Sequence, residues 1–298
     1  QFRFLNHRTS RPRGSVMDLL MTNLVKRRAR HFFHRILYHP NLAFLRRGLL
    51  TLVRRAQVYL LNCSTDARAN GEEWLILQLP SGGVFLDVGF NRGSWSKVVL
   101  DTYPGVFVHG FDPCRDAMAH VERLRLPSDR FAFHDIALSN EQGEAMFYDY
   151  GDMNESNSLA DQAHHLPAAH RADTYKVEVD TLDNWADKTG VGEIDVLKID
   201  AEGFDLHVLE GARRLLDEQR IGLIVFEYAP GWFASRRTLA EAVQFLSDRR
   251  YHLYRLFPFF LAPYRYHVRH EGILVGYFVA LSNKLEEESD IPRRSMEF

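Results

Sequence analysis

From Val84 onward, apolar runs of strand length alternate with stretches of helical spacing, and this alternation constrains the fold most. The strand candidates are Val84–Phe90, Val106–Asp112, Phe131–Leu138, Ile194–Asp200, Ile221–Tyr228, Tyr251–Phe257 and Ile273–Leu281. Many are apolar on consecutive positions, as strands buried on both faces of a parallel sheet must be. Helix candidates fall between them at 94–102, 114–124, 205–217 and 237–250. In the third, Leu206, Leu209, Ala212 and Leu216 share a face. The pattern predicts an α/β fold, a doubly wound, mostly parallel sheet of seven strands. The last two candidates are joined without a helix, which predicts a C-terminal antiparallel hairpin. Residues 143–192 interrupt the alternation with two β-like pieces, Ala145–Tyr150 and Tyr175–Val179, around a His-rich middle. An insertion there suits substrate selection.

Charge divides the chain further. Residues 1–60 hold 13 Lys/Arg and one acid, Asp18, whereas the whole chain has a net charge of −2. The expected organisation is a basic tail and helical extension (1–79), a main domain (80–284) and a charged C-terminal tail (285–298). In 17–61, Leu19, Leu20, Leu24, Phe32, Phe33, Ile36 and Leu37 recur at helical steps, and after Pro40 so do Leu45, Leu49, Leu52, Val53 and Leu60. Arginines fill the gaps. Such a stretch either packs its apolar stripe on the main domain or lies on an anionic membrane surface or a partner. Its aliphatic rather than aromatic character argues against nucleic acid. Residues 1–16 lack the apolar centre of a secretory signal. Two cysteines, Cys63 and Cys114, make no disulfide framework and suit a reducing, cytoplasmic setting, with the inner membrane surface as the place for the basic arm.

The strongest local signal is Asp87-Val88-Gly89-Phe90-Asn91-Arg92-Gly93-Ser94-Trp95, where a first strand turns into a helix. Glycine at 89 and 93 permits positive φ and close approach, and Asn91 tolerates left-handed geometry. The helix start points N–H groups at a ligand. The spacing is neither G-x-G-x-x-G nor a P-loop, so a dinucleotide pyrophosphate is not the natural guest. Asp87 would repel pyrophosphate and attract a cationic ligand such as S-adenosylmethionine. Asp112 ends the second strand 23 positions after Gly89, where doubly wound folds hold ribose hydroxyls. Asp135, Ile136 and Ala137 end the third, where Asp135 can accept from an adenine amine and a neighbouring N–H can reach a ring nitrogen. The fourth strand ends in Lys198, Asp200 and Glu202, which either belong to a site or cap the next helix. Glu227 ends the fifth.

The ordered set D-V-G-x-N-x-G, F-D-P, A-L-S-N-x-x-G, V-D-T-L-D, L-K-I-D-A-E-G and V-L-x-G-A resembles the FkbM-type family of S-adenosylmethionine-dependent methyltransferases over roughly residues 80–230. The resemblance implies a class I methyltransferase fold and O-methyl transfer to a hydroxyl of a saccharide or polyketide-like acceptor. Asp112 stands where the family more often has Glu.

Methyl transfer chiefly requires in-line alignment. A sugar hydroxyl is a weak nucleophile, so a general base is expected. The candidates are Asp200, Glu202 and a histidine of the insertion, His164, His165 or His170. Asp200 ranks first and equally suits the cofactor's methionine end. His134 and His207 read as structural. No zinc spacing is present, while Asp200 and Glu202 suit Mg²⁺. Two other classes compete: an NAD-dependent oxidoreductase, disfavoured by the missing third glycine, and a methyltransferase-like binding module acting through its basic arm.

Overall fold

The strands of the computed structural model are β1 (Gly82–Val88), β2 (Gly105–Phe111), β3 (Phe131–His134), β4 (Ala137–Leu138), β5 (Gly143–Asp149), β6 (Asp173–Asp180), β7 (Ile194–Ile199), β8 (Ile221–Tyr228), β9 (His252–Phe257), β10 (Phe260–Pro263) and β11 (Gly276–Leu281). The structure describes residues 26–28, 31–32, 34–35, 38–64, 66–151, 156–163, 172–272 and 275–296.

The main sheet has eight strands in the order β10-β9-β11-β8-β7-β1-β2-β3. Strands β3, β2, β1, β7 and β8 are parallel neighbours, and β11 pairs antiparallel with both β8 and β9. Two expectations change. The sheet has eight strands rather than seven, because Phe260–Pro263 adds an edge strand on β9. Proline is tolerated there, since an edge position spares its missing N–H. The last two candidates do pair antiparallel as β9 and β11, but β10 lies between them in sequence and β11 also pairs with β8, so they form no two-stranded hairpin of their own.

Alternate side chains enter two cores, one on each face. Leu86, Val88, Leu197, Ile199 and Phe226 pack on one side, and Phe85, Val108, Val196, Val225 and Val279 on the other. This is why the strands read as continuous apolar runs.

The helices follow their local signals. Thr238 and Glu241 form a capping box at the start of Leu239–Asp248. The stretch 205–217 is two short helices, Asp205–Gly211 and Arg213–Asp217. They part beside Gly211, where a Cβ would stand 2.0 Å from the Ser139 carbonyl oxygen. The insertion builds a second sheet, β4-β6-β5, with the pairing Phe147↔Tyr175 at its centre.

Compactness divides the chain into residues 1–57 and 58–298. The main unit therefore starts before the expected residue 80. Arg255, fully buried, donates to the carbonyls of Leu61, at 3.2 Å, and Asn62, at 2.9 Å. Asn62 Nδ2 donates to the carbonyls of Asn70 and Leu256. These bonds tie 61–70 to β9. The described helix Ala43–Leu60, which runs across the boundary between the two units, has no buried residue, and Leu49, Leu52 and Val53 are exposed. Leu19, Leu20, Leu24, Phe33, Ile36 and Leu37 lie outside the described residues, as do His164, His165 and His170.

Candidate functional site

A cavity of about 630 Å³ opens along the carboxyl ends of β1, β2, β7 and β8, where doubly wound sheets bind ligands. The turn after β1 forms its floor. Gly89 takes φ +76°, and a Cβ there would stand 1.9 Å from the Asp200 carbonyl oxygen. That glycine lets the turn touch the end of β7. Gly93 takes φ +72°, and its absent Cβ leaves room for the Phe90 ring. It serves packing and is not among the lining residues, whereas Gly89, Asn91, Ser94 and Trp95 are. Gly93 caps the helix Ser94–Thr102 without a side-chain bond, so the first-turn N–H groups have no side-chain acceptor from the cap.

Asp87 departs from its expected role. It is fully buried and does not line the cavity. Ser96 Oγ donates to it at 2.7 Å, and Lys198 Nζ lies 3.1 Å away. Lys198 also donates to the Gly89 carbonyl, at 3.2 Å. Burial alone would lower the Lys198 pKa; the carboxylates of Asp87 and Asp200 outweigh it and hold that pKa above the ordinary lysine value. With Lys198 as its cationic partner, Asp87 fastens β1, β7 and the glycine turn together.

Asp112 lines the cavity as expected. Its oxygens accept the N–H groups of Asn91, at 2.7 Å, and Cys114, at 2.9 Å. Each oxygen keeps a further lone pair for a ribose hydroxyl. Burial raises its pKa to about 6 against the opposing pull of those two N–H groups. Asp135 is exposed and outside the lining; the side chain turns to solvent just beyond β3. Ile136, Ala137 and Leu138 line the cavity instead and offer an apolar wall to a purine ring.

At the other end, oxygens of Asp200, Glu202 and Glu227 lie within 4.8 Å of one another. Glu202 adopts φ +49° in the tight turn after β7. Its carbonyl accepts from Ser158 Oγ, at 2.9 Å, and Gln162 Nε2, at 2.7 Å, which fastens the insertion to the site. Glu227 is 7 % exposed, and its pKa stands well above the ordinary value through burial and then through repulsion from Asp200.

Glu72 and Tyr277 are among the lining residues that escaped the sequence reading. Glu72, from the short helix Glu72–Ile76, accepts from Asn70 Nδ2 at 2.7 Å, and burial lifts its pKa to about 7. Tyr277 donates to Asp200 Oδ2 at 3.4 Å. No local motif marks Glu72. The pairing Tyr277↔Glu227 brings the start of an antiparallel strand to the rim where the parallel strands end, and is the one signal for Tyr277.

His134 and His207 sit away from the cavity. His134 contacts His109 at 3.0 Å between ring nitrogens and stacks on Phe111; His207 stacks on Phe204.

The cavity fits an adenosyl donor. Along the rim, an apolar wall stands beyond β3, a carboxylate at β2, a glycine turn at β1 and carboxylates at β7 and β8. Buried Asn91 Oδ1 has no hydrogen-bond partner among the described residues and asks for a donor.

Comparison with known proteins agrees. The profile described as Methyltransferase FkbM domain matches residues 87–255. A 2-O-methyltransferase, NoeI, from Sinorhizobium fredii (strain NBRC 101917 / NGR234) is 31% identical over 160 residues, which are 49% of this chain and 63% of that protein. The chain therefore spans less than two thirds of that relative. Methyltransferase FkbM from Methylobacillus flagellatus KT is structurally similar with 14% identity and a TM-score of 0.42, over 67% of this chain and 44% of the other. The matched region holds the ends of β1, β2, β3, β7 and β8, which sets hydride transfer aside: the chain belongs to the FkbM family of S-adenosylmethionine-dependent methyltransferases.

Proposed function

We propose that the chain moves a methyl group from S-adenosylmethionine to a hydroxyl oxygen of a saccharide. The observation that carries this reading is the convergence of Asp200, Glu202 and Glu227 beyond the glycine turn. The 2-O-methyltransferase activity named for the NoeI relative supports transfer to oxygen. When bound, the cofactor supplies an electrophilic methyl group on a sulfonium. Asp112 holds the ribose diol, and Ile136–Leu138 wall the adenine. Asp200 accepts the acceptor's proton, with Tyr277 and Lys198 fixing its orientation. Glu202 accepts from a neighbouring acceptor hydroxyl. Vicinal hydroxyls suit this carboxylate pair better than a lone phenol does, which favours a sugar over a polyketide.

The test is methyl transfer from labelled cofactor to a panel of glycosides. Asp200→Asn should lower kcat by about a hundredfold or more, the usual weight of a general base, while S-adenosylhomocysteine affinity stays within a few-fold. A variant as active as the parent would remove Asp200 from that role. The same three carboxylates favour a second reading, in which they hold Mg²⁺ against the acceptor oxygen. Activity that survives dialysis against EDTA rejects it.

A further inference from the structure

The insertion meets the site at one backbone carbonyl. Residues Ala201–Phe204 form the turn after β7, closed by the Phe204 N–H on the Ala201 carbonyl at 3.1 Å. Both central residues have positive φ, Glu202 at +49° and Gly203 at +96°. Glycine, asparagine and aspartate are the usual occupants of such a turn, and a glutamate is out of place there. A residue in so disfavoured a conformation persists only where its surroundings over-determine it.

Those surroundings are two side chains of the insertion. Ser158 Oγ and Gln162 Nε2 both donate to the Glu202 carbonyl and fill its two lone pairs. Ser158 is 2 % exposed and Gln162 3 %. Each is held from behind by β5. Ser158 exchanges both backbone hydrogen bonds with Tyr148, and the Gln162 N–H donates to the Tyr150 hydroxyl at 2.8 Å. Gly231, just past β8, leaves room for the clamp: a Cβ there would stand 2.6 Å from Gln162 Nε2 and 2.7 Å from the Glu202 carbonyl oxygen. Neither Ser158 nor Gln162 lines the cavity, whereas their neighbours Ser156, Asn157 and Leu159 do. One short stretch therefore carries both a wall of the cavity and the grip on Glu202.

Resting on the methyltransferase reading, in which Glu202 accepts from an acceptor hydroxyl, we propose that Gln162 and Ser158 are positioning residues for the acceptor. They hold the turn in its left-handed form, which keeps the Glu202 carboxylate within 4.8 Å of the Asp200 carboxylate. The insertion thereby sets how tightly the hydroxyl beside the reacting one is held. The cofactor's ribose and adenine stations, Asp112 and Ile136–Leu138, lie at other strand ends and do not depend on the clamp.

The test combines calorimetry with S-adenosylhomocysteine and methyl-transfer kinetics on the full chain, using the glycoside of the panel that the parent methylates fastest. Gln162→Leu keeps the bulk and removes the donor. It should raise the acceptor KM about tenfold, the weight of one hydrogen bond to a charged group, with kcat and S-adenosylhomocysteine affinity within about threefold of the parent. Ser158→Ala should move the acceptor KM in the same direction. In Glu202→Gln the carboxylate is already gone, so adding Gln162→Leu should raise KM by less than about twofold more, whereas a donor that merely supports the fold would add its full effect. An acceptor KM unmoved in both single variants would overturn the inference, as would full additivity in the double variant. Loss of S-adenosylhomocysteine binding in both single variants would also overturn it, by making the clamp a support of the whole cavity. A parent that binds S-adenosylhomocysteine but methylates no glycoside would overturn the saccharide reading, and this inference with it.

Discussion

Asp112 shows how one residue sets a pH dependence. Its carboxyl is pushed up to about 6 by burial, so it is charged above that pH and carries a proton below it. A ribose diol donates to the charged form. S-adenosylhomocysteine affinity should therefore hold at pH 7 to 8 and weaken as pH falls through about 6. In Asp112→Asn the affinity should be low at every pH; a variant that kept the step near pH 6 would assign it to another group. Lys198 is the second residue whose loss should be felt. Lys198→Met strands the fully buried Asp87 carboxylate, a change that costs about 3–5 kcal/mol when a buried ion pair loses one member. Denaturant unfolding of the variant reads that loss directly, and a loss below about 1 kcal/mol would show that Asp87 is satisfied by Ser96 alone.

At the scale of elements, the strands and the glycine turn were legible because both cores impose continuous apolar runs and the rim concentrates charge. Phe260–Pro263 was not, since four residues beside a proline carry no periodicity. Side-chain direction was not legible either. Asp87 and Asp135 sit at the expected strand ends, but one turns beneath the sheet and the other to solvent. Glu72 was hidden because its place at the cavity depends on Asn62 and Arg255, almost two hundred residues apart. The helix Ala43–Leu60 carries an element-scale prediction. Leu45, Leu49, Leu52 and Leu60 recur at three, four and eight steps with arginines at 46, 47, 54 and 55, and none of its side chains is buried. An exposed apolar stripe flanked by arginines is expected to lie along an anionic surface. The full chain should co-sediment with phosphatidylglycerol vesicles and not with phosphatidylcholine, and Leu49→Glu with Leu52→Glu should abolish it. Equal sedimentation of the double variant would show that the stripe plays no part.

For the whole molecule, histidines link stability to pH. Burial, and then the neighbouring His134, hold the His109 pKa down to about 4; burial also lowers that of His134. Between roughly pH 6.5 and 4 the unfolded chain binds protons that the fold refuses, so stability falls as pH falls through that window. Unfolding midpoints at pH 7 and 5 should separate less in His109→Phe than in the parent, and an equal separation would place the linkage elsewhere. The central claim is the order of stations along the rim, and a crystal structure with S-adenosylhomocysteine tests it most directly. Adenine should lie against Ile136–Leu138, the ribose hydroxyls on Asp112 and the sulfur between the glycine turn and Asp200. Ribose hydroxyls away from Asp112, or a sulfur on the β3 side of the glycine turn, would contradict it.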